Sequence, residues 1–132
     1  MKQIIALTLL LSALTFPAIT PAEVVPVASA RVQHVVIVWL KDHSQAAREQ
    51  YIQATKTLSN LPMVLRYQVG TALPGGDRAV VDSSYDVAIV ATFENATALD
   101  AYIKHPDHGK TLQEKLKPLV DKVIVYDFAE AQ

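Results

Sequence analysis

Histidine is the side chain here best suited to acid-base chemistry near neutral pH, and the chain has 4. His108 follows Pro106, which suits the first position of a helix, so His108 falls in the first helical turn. The helix dipole biases a histidine there towards its neutral form, which suits a general base. Its helix face also carries Leu112 and Leu116, so we expect the ring to point inward. The structural alternative is a partly buried histidine satisfied by a backbone or carboxylate partner.

Three further residues are candidates for a site around His108. His34 lies in the apolar run Val32–Leu40, Tyr102 lies on the inward face of a predicted helix, and His105 lies at the end of that helix. We expect His34 and His105 to contribute to ligand binding. Each residue also has a structural explanation, because histidines and tyrosines in apolar patterns are often hydrogen-bonded core residues.

A metal centre and a cofactor site are not expected. His105, Asp107 and His108 offer donor atoms, but the proline between the two histidines breaks the helix and separates them. The chain has no cysteine, which excludes thiolate metal sites and disulfides. The formal net charge is −1, and the lysines are scattered, so nucleic acid is not an expected partner.

The elements that must position these residues alternate between strands and helices. Ser44 is expected to cap a first helix, and Asn95 a second helix that breaks at His105 and restarts at Pro106. In the second helix, Ala98, Leu99, Tyr102 and Ile103 are expected to point inward. Apolar runs predict four strands, at Val32–Leu40, Leu65–Leu73, Tyr85–Phe93 and Val120–Phe128. The order β-α-β-β-α-β predicts an α+β, ferredoxin-like fold.

Two further features of this sheet follow from the pattern. Gly70 predicts that the second strand is bulged or lies at an edge. Helices can cover only one face of the sheet, yet the strands are apolar on both faces. A second copy of the chain, packed sheet against sheet, would bury the other face, so we expect a homodimer.

The N-terminus has the layout of a secretory signal peptide, with Lys2 followed by an apolar run. We predict a signal peptide at residues 1–22, cleaved after Ala22, then a tether at residues 23–30. Cleavage after Ala30 is the alternative. An uncleaved anchor is disfavoured, because the run is shorter than the ~20 apolar residues that a membrane span needs. The mature protein is therefore expected to be periplasmic or secreted and free of the membrane.

A group of residues after the third predicted strand resembles the stress-responsive A/B barrel (Dabb) family. The residues that carry this resemblance are Phe93, Glu94, Asn95, Ala98, Leu99, Tyr102, His105, Pro106 and His108. The outer strands are also similar, so the resemblance covers a domain at residues 31–129. It implies a dimeric α/β barrel with a cavity between sheet and helices.

The resemblance leaves two functions open. In the polyketide-cyclising branch of the family, a histidine at the position of His108 removes a proton and a tyrosine at the position of Tyr102 steadies the oxyanion. This implies a cofactor-free cyclase or lyase-type enzyme. However, cyclase-like members carry a histidine where this chain has Val87. That difference favours the first function, an exported homodimer that binds a small apolar or aromatic molecule.

Overall fold

A computed structural model of the chain describes residues 29–74 and 78–131. Within them, four strands form one antiparallel sheet in the order β2-β3-β1-β4, and three helices accompany it. The elements are β1 Val32–Leu40, α1 Gln45–Lys56, β2 Arg66–Thr71, β3 Val87–Phe93, α2 Ala96–Lys104, α3 Pro106–Thr111 and β4 Val120–Ala129. The predicted ferredoxin-like α+β fold is confirmed.

The predicted signal peptide at residues 1–22 and tether residues 23–28 lie outside the described residues. Ala30 is only 4% exposed, so the packed domain includes the last residue of the predicted tether. Among the helices in the described part of the chain, none is both long and apolar enough to cross a membrane.

The helix boundaries follow from local capping residues, as predicted. The Ser44 hydroxyl accepts a hydrogen bond from the Ala47 N–H at 3.2 Å, and the Asn95 side chain accepts one from the Ala98 N–H at 2.9 Å. Each cap satisfies an N–H that the helix itself leaves unpaired, which is worth about 1 kcal/mol. His105 has extended backbone between α2 and α3, so the predicted break is also confirmed.

The second predicted helix is less regular than expected after its break. The segment that follows Thr111 opens into a π-helical turn, Leu112–Leu116, and then a 3-10 turn, Lys117–Leu119. Ile103, which was predicted to point into the core, is 47% exposed. Its side chain nevertheless lines the cavity between the helices and the sheet, so Ile103 points inward but is not buried.

The strand order confirms that β2 is an edge strand, but the bulge is elsewhere. β2 pairs with β3 from Arg66 to Thr71 without a register shift, so Gly70 does not mark an irregularity. The irregular pairing lies between Trp39 and Leu40, where β1 meets β4.

The two faces of the sheet differ in how well they are covered. On the face towards the helices, Val38, Val87 and Phe93 are completely buried and form the centre of the core. The opposite face is called the bare face here, and its large apolar side chains are Val35, Ile37, Trp39, Val90, Ile124, Tyr126 and Phe128. Tyr126 and Phe128 are 58% and 52% exposed, so this apolar face lacks a covering layer within the described chain.

Candidate functional site

A cavity of about 660 Å³ lies between the helices and the sheet, and residues from all four strands line it. Its walls are largely apolar: Val36, Leu58, Ile89, Ile103, Leu112, Leu116, Val120, Val123 and Val125. A smaller group of polar side chains also lines it: His34, Tyr51, Thr55, Tyr67, Tyr102, His108, Gln113, Lys117, Asp121 and Asp127. Apolar walls with a few polar groups are typical of sites for small organic molecules.

His34 is held in the cavity wall by a carboxylate from the neighbouring strand. The register of β1 against β4 places His34 directly opposite Asp127, so both side chains project from the same face. The His34 Nδ1 and the Asp127 Oδ1 are 2.6 Å apart. A carboxylate can only accept hydrogen bonds, so the His34 Nδ1 carries a hydrogen and donates it to Asp127. This pairing involves a residue, Asp127, that the sequence did not single out.

His108 and Tyr102 are brought together by the break at His105. The change of direction there turns the first residues of α3 back towards α2, and the two ring centroids lie 4.5 Å apart. Burial lowers the pKa of His108, although a hydrogen bond to the Ile103 carbonyl works in the opposite direction. The imidazole is therefore neutral at pH 7 and lines the cavity in a form that can accept a proton.

A group of hydroxyls on the cavity wall was not recognised from the sequence. The Thr55 and Tyr67 hydroxyls are 2.6 Å apart. Burial raises the pKa of Tyr67 and of Tyr102, and it raises the pKa of Tyr51 to about 12. All three phenols therefore remain protonated at neutral pH and can donate hydrogen bonds. Tyr102 was already a candidate from the sequence, but for Tyr51 and Tyr67 only the helical or strand spacing was visible, and such spacing is equally typical of core residues.

His105 does not line this cavity. Its Nδ1 accepts a hydrogen bond from the Asp107 N–H at 3.2 Å, so the ring caps α3. The expectation that His105 contributes to ligand binding is not supported by its position. Among residues 29–74 and 78–131, no group of three or more histidine, aspartate or glutamate side chains is arranged to hold a metal ion.

Val87, the position at which cyclase-like proteins carry a histidine, is completely buried in the core. It does not line the cavity. The polar groups around this cavity therefore come from β1, β2, β4 and the helical segments rather than from the start of β3.

A second histidine–carboxylate pair lies outside the cavity, at the start of β3. Asp86 accepts hydrogen bonds from the Leu40 N–H at 2.8 Å, from Arg48 Nε at 3.0 Å and from His43 at 2.9 Å. Burial alone would raise the pKa of this carboxyl, but the hydrogen bonds from Leu40, His43 and Arg48 outweigh it and hold the pKa below its usual range. Through these hydrogen bonds, Asp86 links the connection between β1 and α1 to the start of β3.

Comparison with protein families identifies the domain. The model of the stress responsive A/B barrel domain matches residues 32–130. The chain belongs to the Dabb family. This match confirms the resemblance and agrees with the arrangement of strands and helices. Comparison with curated protein sequences gives no significant match.

Several solved structures resemble this Dabb domain. A Dabb family protein from Mesorhizobium loti with a ferredoxin-like fold is 23% identical, covers 78% of this chain and 99% of its own, and has a TM-score of 0.63. A dimeric ferredoxin-like protein from Thermobifida fusca is 25% identical over 77% of this chain and 92% of its own, with a TM-score of 0.61. A hydroxynitrile lyase from Passiflora edulis is 23% identical over 79% of this chain and 96% of its own, with a TM-score of 0.66.

Proposed function

We propose that this protein is an exported homodimeric Dabb protein that binds a small apolar or aromatic molecule in the cavity between sheet and helices. The observation that carries the proposal is the 660 Å³ cavity, whose apolar walls surround a few polar side chains. Val123, Val125 and Leu112 are 50%, 46% and 39% exposed at its wall. Exposed apolar side chains that border one cavity are better explained by a ligand than by folding alone.

The binding proposal is tested by filling the cavity. Val125 lies on the half-exposed edge strand β4, so Val125→Trp should fill the cavity at little cost to folding. Val80→Trp is the matched control, because Val80 is 90% exposed and does not line the cavity. We expect Val125→Trp to weaken the binding of a fluorescent apolar dye at least 10-fold, and Val80→Trp to leave it unchanged. Equal dye binding by both variants would contradict the proposal.

The homodimer is supported by the bare face and by a similar protein that is dimeric. An exposed apolar sheet face is costly in water, and a second copy would cover it symmetrically. The similar ferredoxin-like protein from Thermobifida fusca is dimeric.

A charge on the bare face tests this assembly. In Ile37→Asp the carboxylate would be buried without a partner, which costs several kcal/mol. Light scattering should therefore find a monomer or unfolded protein for Ile37→Asp, and a dimer for the exposed control Gln53→Asp. A wild-type protein that is monomeric at micromolar concentration would rule out this assembly.

Export is supported by the apolar run behind Lys2. The burial of Ala30 favours cleavage after Ala22, because cleavage after Ala30 would remove a residue that packs in the domain. N-terminal sequencing of periplasmic or secreted protein should then find a first residue near Glu23. Soluble cytoplasmic protein that retains Met1 would contradict export.

A second candidate function is a cofactor-free cyclase or lyase-type enzyme, favoured by the contact between His108 and Tyr102. A neutral His108 can act as the general base, and the Tyr102 hydroxyl can donate to a developing oxyanion. The hydroxynitrile lyase from Passiflora edulis shows that this fold carries lyase activity in another protein.

If this chain is an enzyme, His108→Ala and His108→Asn should each lower turnover roughly 10²-fold or more. Tyr102→Phe should also lower turnover. In a protein that only binds, Tyr102→Phe should be nearly silent.

A further inference from the structure

A second cavity lies between α1 and the residues that follow β2 and precede β3, apart from the cavity of the proposed function. Its volume is about 570 Å³, which is within the range of sites for small molecules. We infer that this second cavity binds a short zwitterionic peptide with apolar side chains. The peptide carboxylate contacts Arg48, and its ammonium group contacts Glu49.

One face of α1 supplies the charged groups of the second cavity. Gln45, Arg48, Glu49 and Ile52 line it, and residues three or four positions apart lie on the same side of a helix. A cation and a carboxylate on this helix therefore both face the second cavity. A ligand that carries one charge of each sign complements both groups.

Asp86 fixes the position of Arg48 but leaves part of its guanidinium group unpaired. The Arg48 Nε and Nη2 lie 3.0 and 2.9 Å from the same oxygen, Asp86 Oδ1. The Arg48 Nη1 has no hydrogen-bond partner among the described residues. The Arg48 side chain is 35% exposed, so a ligand carboxylate can reach the edge formed by Nη1 and Nη2. That edge is a planar fork that binds a carboxylate through two hydrogen bonds.

Glu49 explains why the ligand also needs a positive charge. Gln45 Nε2 donates a hydrogen bond to Glu49 Oε1 at 2.8 Å, which orients the carboxylate. Within the described part of the chain, no cation forms a salt bridge with Glu49. A ligand that is only an anion would be repelled by Glu49, and a ligand that is only a cation would leave the Arg48 fork empty. A zwitterion satisfies both groups.

The residues beyond the helix give the second cavity its apolar surface. Ala72, Leu73 and Pro74 follow β2, the Tyr85 ring precedes β3, and all four line the second cavity. Leu73 is 82% exposed. An apolar side chain of the bound peptide would remove this surface from water, which favours a peptide with apolar residues over a polar one.

The test titrates the dipeptide leucyl-leucine into the protein at neutral pH and measures binding by calorimetry. Two derivatives each remove one charge: leucyl-leucine amide lacks the carboxylate, and N-acetyl-leucyl-leucine lacks the ammonium group. We expect each derivative to bind the wild-type protein about 10-fold more weakly than the dipeptide, because a charge-assisted hydrogen bond is lost. Equal binding of the three compounds, or no binding of the dipeptide at millimolar concentration, would overturn the inference.

Glu49→Gln tests the ammonium contact at an exposed position, where folding should be unaffected. The variant should bind the dipeptide about 10-fold more weakly and the acetylated dipeptide as wild type does, because the latter has no ammonium group to lose. Glu114→Gln is the matched control, because Glu114 is exposed and does not line the second cavity. Equal affinities of Glu49→Gln and wild type for the dipeptide would also overturn the inference.

Arg48→Lys tests the carboxylate contact, because lysine keeps the positive charge but lacks the fork. The dipeptide should bind this variant about 10-fold more weakly, and the amide should bind it as it binds wild type. If Arg48→Lys does not fold without its pairing to Asp86, Glu49→Gln still decides the inference.

The fluorescent apolar dye separates the two cavities. It should remain bound when the dipeptide is at saturation. Displacement of the dye would place the dipeptide in the other cavity and overturn the inference, whereas a dye that does not bind at all would contradict only the proposed function.

Discussion

Two histidine–carboxylate pairs in this protein are built in opposite ways. In the Asp86–His43 pair the carboxylate side chain is 2% exposed and the histidine side chain is 66% exposed. In the His34–Asp127 pair the histidine is 11% exposed and the carboxylate is 44% exposed. The buried Asp86 is hydrogen-bonded to Leu40, His43 and Arg48, whereas His34 has one ring nitrogen without a partner among the described residues.

The difference separates a group that stabilises the fold from one that is available to a ligand. A buried carboxylate is expensive unless hydrogen bonds and an opposite charge satisfy it, and Leu40, His43 and Arg48 do so for Asp86. Asp86 therefore has no remaining capacity for another partner. His34 lies beside an open cavity, and its Nε2 has no hydrogen-bond partner among the described residues, so it is available to a ligand.

Truncation of the two carboxylates should separate these roles most strongly. Asp86→Ala leaves the buried Leu40 N–H and the Arg48 guanidinium without their acceptor, so we expect the free energy of unfolding to fall by about 3 kcal/mol. Asp127→Ala removes a half-exposed carboxylate and should cost less than about 1 kcal/mol. Urea unfolding monitored by circular dichroism measures both. Similar losses of stability for the two variants would contradict the claim that Asp86 stabilises the fold far more than Asp127 does.

Lowering the pH should reduce the free energy of unfolding through Asp86, by less than Asp86→Ala does. Its pKa in the folded protein is lowered, so its contribution to stability is present in full above its unfolded pKa and is lost as pH falls through the folded value. Wild-type stability should thus decrease below about pH 4. Asp86→Asn cannot be protonated and should show a shallower decrease over the same range in urea titrations. An unchanged slope would mean that another carboxylate dominates acid unfolding.

His43→Ala should have the smallest effect of the three. The ring is mostly exposed, and Asp86 retains Arg48 and the Leu40 N–H, so the loss should stay below about 1 kcal/mol. Because His43 does not line the cavity, dye binding should be unaffected. A loss of binding without unfolding would connect the two pairs and contradict their separate roles.

Local features of this fold were predictable from the sequence, because they depend on neighbouring residues. Ser44 and Asn95 were recognised as caps, and the restriction that Pro106 imposes on His105 predicted the break in the helix. The alternation of side chains along a strand puts His34 and Val38 on one face of β1, which the structure shows to be the inward face.

The partners of the key residues were not predictable, because they are distant in the chain. Asp127 meets His34 only through the register of β1 against β4, which no local pattern fixes. Asp86 stands out in the sequence, because a carboxylate next to an apolar strand must find polar partners. Those partners, His43 and Arg48, are about 40 residues away, so the sequence near Asp86 does not identify them.

The most direct test of the central claim compares the two histidines in one experiment. Imidazole nitrogen resonances of His34 and His43 are assigned with the variants His34→Gln and His43→Gln, and para-nitrophenol is then titrated into wild-type protein. We predict that the Nε2 resonance of His34 shifts as the ligand binds, while both nitrogens of His43 stay unchanged. Unchanged His34 resonances at saturation, or a shift confined to His43, would contradict the claim that His34 is the group that meets the ligand.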